Sequence, residues 1–566
     1  MKKTFTSLAF LCVGFAAFSQ SATDGAALLQ SDIKGTARFM SMGGAFGAIG
    51  GDMSTLSYNP AGIGIYRRSE IGLTMDFDFQ STSTEFPGTK NDQNKFKYLI
   101  NNGGYIGAMR LNSTTMPNFN WGITYNRKAN FHREFSGVAP SLSNSLSNYI
   151  AGVANNSGVL VEDVVSTNSF DPYNATDYPA PWISILGYDS FFISPTSDNP
   201  SDPRWVGQFD NHTTGSGVMS VIEKGGIDEY NIALGGNIKD VVFWGMDFGI
   251  TSLTYKRQTV WGESLSNANV NLGDGMRRYD ADWSLYNDYR VNGTGFNYKL
   301  GVIVKPIQEL RLGFAFHTPT WYGLTEKYYA NTWFSYSRKG QVIKEDGAET
   351  NQGYDGINDF NFRTPWRFIG SIAGVFGNNL ILSADIDWTG MQYMHFSSPT
   401  YSDYWYDDGW DYWPAPAKAP SDNYASSDPY YYTNKDAKDY YQTSTTIRVG
   451  AEYRIIPQFS VRAGYAYTSS PVKSDTRDGK QTIYTADPSP SYEFDNDINY
   501  VSFGLGYRYQ AFYVDLAYMY RARKSEWHAY SPNIGDSAYT GSTQGGPVAK
   551  VTSKDNQLVL SMGFRF

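Results

Sequence analysis

The chain has 566 residues, 56 glycines, 44 tyrosines, 16% aromatic and 18% charged residues, and a formal net charge of −9. This excess of rings and glycine with modest charge is typical of an all-β chain with many turns and interfacial aromatics, and it disfavours a cytosolic multidomain enzyme. An acidic chain without a basic stripe also argues against a nucleic-acid partner.

The first 19 residues have the pattern of a signal peptide. Lys2 and Lys3 precede an apolar run from Leu8 to Phe18, and small residues up to Ser19 mark a cleavage site. The run is shorter than the roughly 20 residues that a bilayer-spanning helix needs. The only cysteine, Cys12, lies inside it. No later segment is apolar enough for a transmembrane helix, so membrane residence requires a β-barrel.

A glycine-rich segment precedes the first strand pattern. It reads GTARFMSMGGAFGAIGGDMSTLSYNPAGIGIY from Gly35 and contains Asn59-Pro60-Ala61, where the proline holds the preceding residue extended. We predict an irregular plug over residues 20–66. From Ile71 to Phe79, apolar and polar side chains alternate strictly, as in a strand that separates lipid from a wet interior.

Alternating segments of about ten residues recur fourteen times up to Phe566. Short turns follow every second segment, and we predict that the other connections are long and hydrophilic, the longest at about 136–226, 331–361 and 399–440. This alternation is typical of outer-membrane barrels. The sequence therefore predicts an all-β fold, a 14-stranded antiparallel transmembrane β-barrel over residues 67–566. A phase shift after Ile250 predicts a bulge near Thr251.

The Gly-rich plug, the YNPAGI stretch and the alternating strand resemble the start of the FadL/TodX family of outer-membrane transporters for long-chain fatty acids and other hydrophobic compounds. The phrases LGVIVKP and IRVGAEYRI extend the resemblance into the barrel. It implies that Asn59, Pro60 and Ala61 belong to a hatch that moves to open the barrel. It also implies that Phe566 is the signal for the barrel-assembly machinery, and that ligand leaves sideways at a kinked third strand, near Gly122.

Charged side chains occupy lumen-facing positions on many strands. A basic group in a largely apolar pocket can pair with a carboxylate, which makes Lys299, His317 and Arg448 our ligand-binding candidates. A second set lies nearer the periplasmic strand ends, where we expect bonds to the hatch and within the set: Arg311, Glu452, Arg454, Arg462, Arg508 and Asp515.

Signs of catalysis or metal binding are missing from the sequence. The five histidines are scattered without a paired spacing or a nucleophile motif, so we predict no enzyme, no cofactor and no metal. The Asp-rich pieces at 355–359 and 494–499 match no complete calcium loop. The aromatic loop from Tyr401 to Tyr441 suits capture of a hydrophobic molecule, sugar stacking or contact with a partner protein.

These observations predict a monomeric outer-membrane protein for passive uptake of a hydrophobic small molecule, such as a long-chain fatty acid, another lipid or a hydrocarbon. The expected partners are that ligand, outer-membrane lipid, lipopolysaccharide and the barrel-assembly machinery. The alternative is a barrel that transports nothing and docks on a protein-secretion channel, as some FadL-like proteins do, or that serves in surface adhesion. An apolar lumen pocket would favour transport, and a solid lumen would favour docking.

Overall fold

The fold is that of a computed structural model, which describes residues 20–175, 179–196, 204–377, 379–399, 428–478, 481–532 and 545–566. The predicted signal peptide, residues 1–19, and most of the aromatic loop from Tyr401 to Tyr441 lie outside the described residues. Within the described ranges, no helix is long and apolar enough to cross a membrane.

Strands make up most of the described chain. They are β1 (Glu70–Phe86), β2 (Thr89–Arg110), β3 (Asn118–Asn130), β4 (Arg133–Ala139), β5 (Ser194–Pro195), β6 (Trp205–Val206), β7 (Thr214–Ile238), β8 (Val242–Asn271), β9 (Met276–Val304), β10 (Leu310–His317), β11 (Trp321–Arg338), β12 (Gln341–Glu349), β13 (Gly356–Arg363), β14 (Arg367–Phe376), β15 (Leu380–Gly390), β16 (His395–Ser397), β17 (Thr443–Ile456), β18 (Phe459–Thr468), β19 (Tyr492–Tyr509), β20 (Phe512–His528) and β21 (Val548–Arg565).

Six α-helices accompany the strands: α1 (Ala22–Leu28), α2 (Ala37–Ser41), α3 (Leu146–Asn156), α4 (Trp182–Asp189), α5 (Tyr431–Tyr440) and α6 (Ser474–Arg477), all within the described residues. Two 3₁₀ helices, Met53–Ser57 and Pro60–Ile65, complete the N-terminal segment.

Fourteen antiparallel strands close into a barrel, which confirms the predicted fold class. In chain order they are β1, β2, β3, β7, β8, β9, β10, β14, β15, β17, β18, β19, β20 and β21, and β21 pairs with β1 to close the circle. At the seam, the backbone N–H groups of Ser69 and Phe566 each donate to the other residue's carbonyl oxygen at 3.0 Å. The remaining long strands continue the wall on the side away from the periplasm, which we call the upper side. There β4 extends β3 and β11 extends β10.

The lower part of each strand carries an apolar outer face. On β1, Ile71, Leu73 and Phe79 are exposed, whereas Asp76 and Asp78 are buried on the lumen side. Exposure of such a continuous apolar band to water is unfavourable. This belt is therefore the surface that contacts lipid.

The predicted bulge near Thr251 is wrong. Strand β8 pairs without a register shift through this residue on both sides. The apolar side chains change face instead: Ile250 is exposed, whereas Leu253 and Tyr255 are buried inside the barrel. Above the belt the strand no longer meets lipid, so its apolar side chains pack on the interior and its polar ones face water.

Two of the connections expected to be long loops are tight hairpins between long strands. Residues 87–88 join β1 to β2, and residues 272–275 join β8 to β9. The expected loop at 136–226 contains the end of β4, the helices α3 and α4, the short strands β5 and β6, and the first part of β7. The one at 331–361 contains the end of β11, all of β12 and most of β13. The barrel wall therefore continues well above the apolar belt.

The N-terminal segment lies inside the barrel. Ala37 donates its N–H to the Ser561 hydroxyl at 2.7 Å, and Lys34 pairs with Asp76 at 2.6 Å, both on the inner wall. Helix α1 lies higher, where the Asp24 carboxylate accepts a hydrogen bond from Arg257 at 2.7 Å. The segment thus crosses the lumen from its outer half at α1 to its periplasmic end at Ile65.

Candidate functional site

A cavity of about 220 Å³ lies in the lumen between the N-terminal segment and the surrounding strands. One part of its wall is apolar and includes Leu28, Leu29, Ile33, Met391 and Val472. Another part is cationic and includes Lys128, Arg257, Lys299, Arg367, Arg448, Arg521 and Arg523, with Asp32, Glu223, Asp387, Glu493 and Asp495 between them. The wall is therefore amphipathic, rather than largely apolar as the sequence suggested.

The three predicted ligand-binding residues, Lys299, His317 and Arg448, all line this cavity. Lys299 is 1% exposed, and its Nζ lies 2.9 Å from the Glu229 carboxylate and 2.7 Å from that of Asp247. A buried ammonium between two carboxylates is already neutralised by the protein. Lys299 thus ties β9 to β7 and β8, and it offers no spare charge to the cavity.

His317 and Arg448 meet on Tyr58 of the N-terminal segment. His317 Nε2 lies 2.8 Å from the Tyr58 carbonyl oxygen, so this nitrogen is the donor. Arg448 donates to the Tyr58 hydroxyl, and the guanidiniums of Arg448 and Arg367 lie 4.9 and 5.5 Å from the centre of its ring. Tyr58 is thereby held between a backbone contact and two cations.

Asp387 is the carboxylate that Arg367 and Arg448 share. Arg367 Nε donates to its two oxygens at 2.9 and 3.0 Å, and both terminal nitrogens of Arg448 donate to Oδ2 at 3.0 Å. A second buried carboxylate, that of Asp385, lies directly opposite Arg448 on β15, so the two guanidiniums are matched by two acidic groups. Arg367, Arg448 and Asp387 line the cavity wall, beside Tyr58.

The Asn59-Pro60-Ala61 motif follows Tyr58 directly and is fully buried. The Asn59 amide donates to the Gly47 carbonyl at 2.6 Å, and its Oδ1 accepts from the Ala61 N–H at 3.1 Å. The motif lies in close contact with two glycines of the barrel wall. A Cβ at Gly301 would lie 2.0 Å from Asn59 Oδ1, and one at Gly245 would lie 2.1 Å from the Pro60 carbonyl oxygen. Only glycine permits this close approach.

The six residues near the periplasmic strand ends fall into three pairs. Arg311 donates to the Ile49 carbonyl at 2.8 Å, and Glu452 accepts from Arg38 at 2.8 and 3.1 Å, so both contact the N-terminal segment directly. Arg462 joins Glu452 to Asp515, each at 2.6 Å. For Arg454 and Arg508 the structure gives backbone hydrogen bonds, from their N–H groups to Asn379 and Gln458.

The barrel, its interior segment and its sequence agree with one family. The family model described as "Outer membrane protein transport protein (OMPP1/FadL/TodX)" matches residues 276–566, which is more than half of the chain. The chain belongs to this family. As a member, it is an outer-membrane transport protein. The matched residues include Lys299, His317 and Arg448, whereas Asn59-Pro60-Ala61 precedes them.

Solved structures of FadL/TodX proteins align over most of the chain. A Pseudomonas aeruginosa FadL homologue is 14% identical, with 95% of this chain and 99% of that chain covered and a TM-score of 0.47. The P. putida toluene transporter TodX is 12% identical, with 94% and 99% covered and a TM-score of 0.44. The Ralstonia pickettii toluene transporter TbuX is 12% identical, with 94% and 99% covered and a TM-score of 0.40. No curated protein matches the sequence.

The barrel wall of this FadL/TodX-family chain has no gap at Gly122. There, β3 pairs without interruption with Ile106 of β2 and with Ala233 of β7, so the predicted sideways opening at this point is absent. Higher up, β2 and β4 are joined by side chains: Asn91 donates to the Ser136 carbonyl oxygen at 3.1 Å, and Lys95 pairs with Glu134 at 2.8 Å.

Several residues of the site are not among those predicted from the sequence. Asp247 and Asp387 lie at lumen-facing positions between outward-facing apolar residues, so the same parity argument that selected Lys299 and Arg448 would have found them. The same parity argument would also have identified Arg367 and Glu229. Tyr58 had no signal of its own, because its role follows from its contacts across the barrel.

Proposed function

We propose that the chain carries an amphipathic small molecule with an apolar body and an acidic group, such as a long-chain fatty acid, passively across the outer membrane. The observation that supports this most is the amphipathic cavity wall, with the guanidiniums of Arg367 and Arg448 on one side and Leu28, Leu29 and Val472 on another. Burial of an apolar body supplies affinity, and a charge-assisted bond orients the acidic end.

The proposed mechanism begins with ligand entry into the cavity. The ligand carboxylate accepts hydrogen bonds from Arg448 and competes with the Tyr58 hydroxyl for the same guanidinium. Loss of this bond frees Tyr58, and with it the adjoining Asn59-Pro60-Ala61 hatch motif. A neutral hydrocarbon has no group that competes for Arg448, so it would not release Tyr58 in this way.

An open lumen cavity supports transport over docking. A barrel that only docks on a partner needs no internal cavity, whereas this barrel has a cavity lined by apolar and cationic side chains. The aromatic loop at Tyr401–Tyr441, on which the docking alternative depends, lies outside the described residues.

The test is ligand binding by the purified mature barrel with three probes of matched length: palmitic acid, its methyl ester and hexadecane. We expect native mass spectrometry to show retained palmitate in the wild type and at least tenfold weaker binding of the ester, since a hydrogen bond to a charged group contributes about 1.5–3 kcal/mol. Arg448→Gln should reduce palmitate binding to the level of the ester. Arg448→Lys should retain part of the preference for the acid.

Equal binding of acid, ester and hydrocarbon by both wild type and Arg448→Gln would contradict the carboxylate assignment and favour a hydrocarbon substrate. If no probe binds and the purified wild-type protein instead retains a protein partner, the docking alternative is correct.

A further inference from the structure

Four cations lie directly opposite one another on adjacent strands above the apolar belt. Lys224 of β7 pairs in register with Lys256 of β8, Lys256 pairs with Arg290 of β9, and Arg290 pairs with Lys327 of β11. We call these four residues the cationic row. Like charges placed directly opposite on neighbouring strands destabilise a sheet. Such a row is therefore expected where an anion from outside the chain compensates it.

The cationic row is on the outer face of the barrel. A lower row of exposed side chains, Tyr230, Ile250, Phe296 and Trp321, follows the same register across the same four strands. Each cation is separated from the member of this lower row on its own strand by six residues, as in Ile250 and Lys256. Because side chains alternate with a period of two, both rows face outward.

The two inner members of the row have acidic partners and the two outer members have none among the described residues. Asp288 lies 3.0 Å from Lys256 Nζ and 2.6 Å from Arg290 Nε, and Asp355 lies 3.5 Å from Arg290. Lys224 and Lys327 form no ion pair in the part of the chain that the structure describes. Asp359, on the strand next to Lys327, accepts a hydrogen bond from Thr325. Unpaired positive charge thus remains at both ends of the row.

The height of the row limits what it can bind. Tyr230, Ile250, Phe296 and Trp321 mark the upper edge of the apolar belt on these strands, and the outward positions between them and the row are polar or glycine, as at Ser252 and Thr254. Six residues at about 3.3 Å each, on strands tilted by about 40°, place the row about 15 Å above that edge. Phospholipid phosphates lie close to the apolar edge, so only a lipid with a tall, charged head reaches the row.

We propose that the cationic row binds the phosphorylated saccharide head of lipopolysaccharide in the outer leaflet. The end residues Lys224 and Lys327 contact the anionic groups, and the hydroxyl side chains below them, such as Ser252 and Thr254, face the sugars. The site is separate from the lumen cavity and does not depend on what the barrel transports.

The test measures binding of purified rough-type lipopolysaccharide to the detergent-solubilised barrel by native mass spectrometry. The variant Lys224→Gln/Lys327→Gln removes the two unpaired charges. The matched control is Lys554→Gln on β21, an outward-facing exposed lysine whose cross-strand neighbours are Ser81 and Ala522. Heat-modifiable migration on electrophoresis verifies that each variant has folded.

We expect the double variant to bind lipopolysaccharide about 25-fold more weakly than wild type, because each basic residue near an anionic membrane surface contributes about fivefold in affinity. Lys554→Gln should bind like wild type, dephosphorylated lipopolysaccharide should bind wild type as weakly as the double variant binds the intact lipid, and raised salt should weaken wild-type binding. Equal affinity of wild type and the double variant would overturn the proposal. So would equal binding of phosphatidylglycerol, whose phosphate does not reach the row.

Discussion

The guanidinium of Arg448 donates a hydrogen bond to the hydroxyl of Tyr58, the residue immediately before Asn59. Arg448 also lines the lumen cavity and shares Asp387 with Arg367. One side chain therefore contacts both the lumen cavity and the N-terminal segment inside the barrel. A ligand group that binds Arg448 must alter the contact with Tyr58, and this is the link between cavity occupancy and hatch movement that we propose.

Replacement of Tyr58 by phenylalanine should loosen the hatch without changing the packing of the ring. The lost bond is to a charged donor, and about 1.5 kcal/mol corresponds to roughly a tenfold rise in the open fraction. Single-channel recording in planar bilayers measures the frequency of openings. The control is Tyr66→Phe, since the Tyr66 hydroxyl is buried with no hydrogen-bond partner among the described residues. Equal opening frequencies in the two variants would argue against a latch at Tyr58.

Gly301→Ala should displace the hatch motif. The added Cβ would lie 2.0 Å from Asn59 Oδ1 and 2.9 Å from the Ala61 nitrogen, so the motif must move away from β9. We expect a leakier barrel, measured as faster swelling of proteoliposomes in a small sugar. Gly323→Ala on β11 is the matched control, because its Cβ would have no neighbour within 4 Å. Leakage no greater than that of Gly323→Ala would show that the motif does not seal the lumen.

Lys299→Met should destabilise the barrel by about 3–5 kcal/mol, because it leaves the buried Asp247 carboxylate with no cation among the described residues, whereas Glu229 keeps Lys128 at 3.3 Å. Urea unfolding in lipid vesicles, followed by tryptophan fluorescence, measures the loss. Neutralising Asp247 as well, in Lys299→Met/Asp247→Asn, should recover most of the stability. The exposed Lys554→Met is expected to have little effect. If the double variant is no more stable than Lys299→Met, uncompensated charge is not the cause.

The packing of helix α4 should weaken as pH rises from about 4 to about 6. Asp487, in the loop before β19, accepts hydrogen bonds from the N–H groups of Trp182 and Ile183, the latter at 2.9 Å. Burial raises the pKa of Asp487 from its ordinary 3.8 to about 6. In this range the folded chain keeps a proton that the unfolded chain has released. The stabilisation is therefore complete below about pH 4 and falls by up to roughly 3 kcal/mol by pH 6.

Hydrogen–deuterium exchange of α4 peptides, corrected for the intrinsic pH dependence of exchange, measures this change. Asp487→Asn has no titrating group here, so its protection factors should stay level between pH 4 and 6. A slope in Asp487→Asn equal to that of wild type would assign the effect to another group, of which Asp189 at the end of α4 is the first candidate, since burial raises its pKa to about 6.

Within the membrane the sequence was a good guide to the fold. From Ile71 to Phe79 and in its counterparts on the other strands, lipid on one side and a polar lumen on the other impose a period of two, which can be read without a structure. Above the belt this rule reverses. Leu253 and Tyr255 point inward because the interior there is packed by α1 and its neighbours. A change of environment along β8 therefore has the sequence pattern of a bulge, although the register is unbroken.

The sequence by itself determined the strand number and which charged side chains face the lumen, because these depend on alternation along single strands. The tertiary structure alone decided what those charges do. Lys299 is neutralised by Glu229 and Asp247, whereas Arg448 and Arg367 share Asp387 and lie against Tyr58 of the N-terminal segment. Likewise, Lys224, Lys256, Arg290 and Lys327 form a row only through the register of four strands. Pairing between distant segments sets these distances, and no local pattern encodes it.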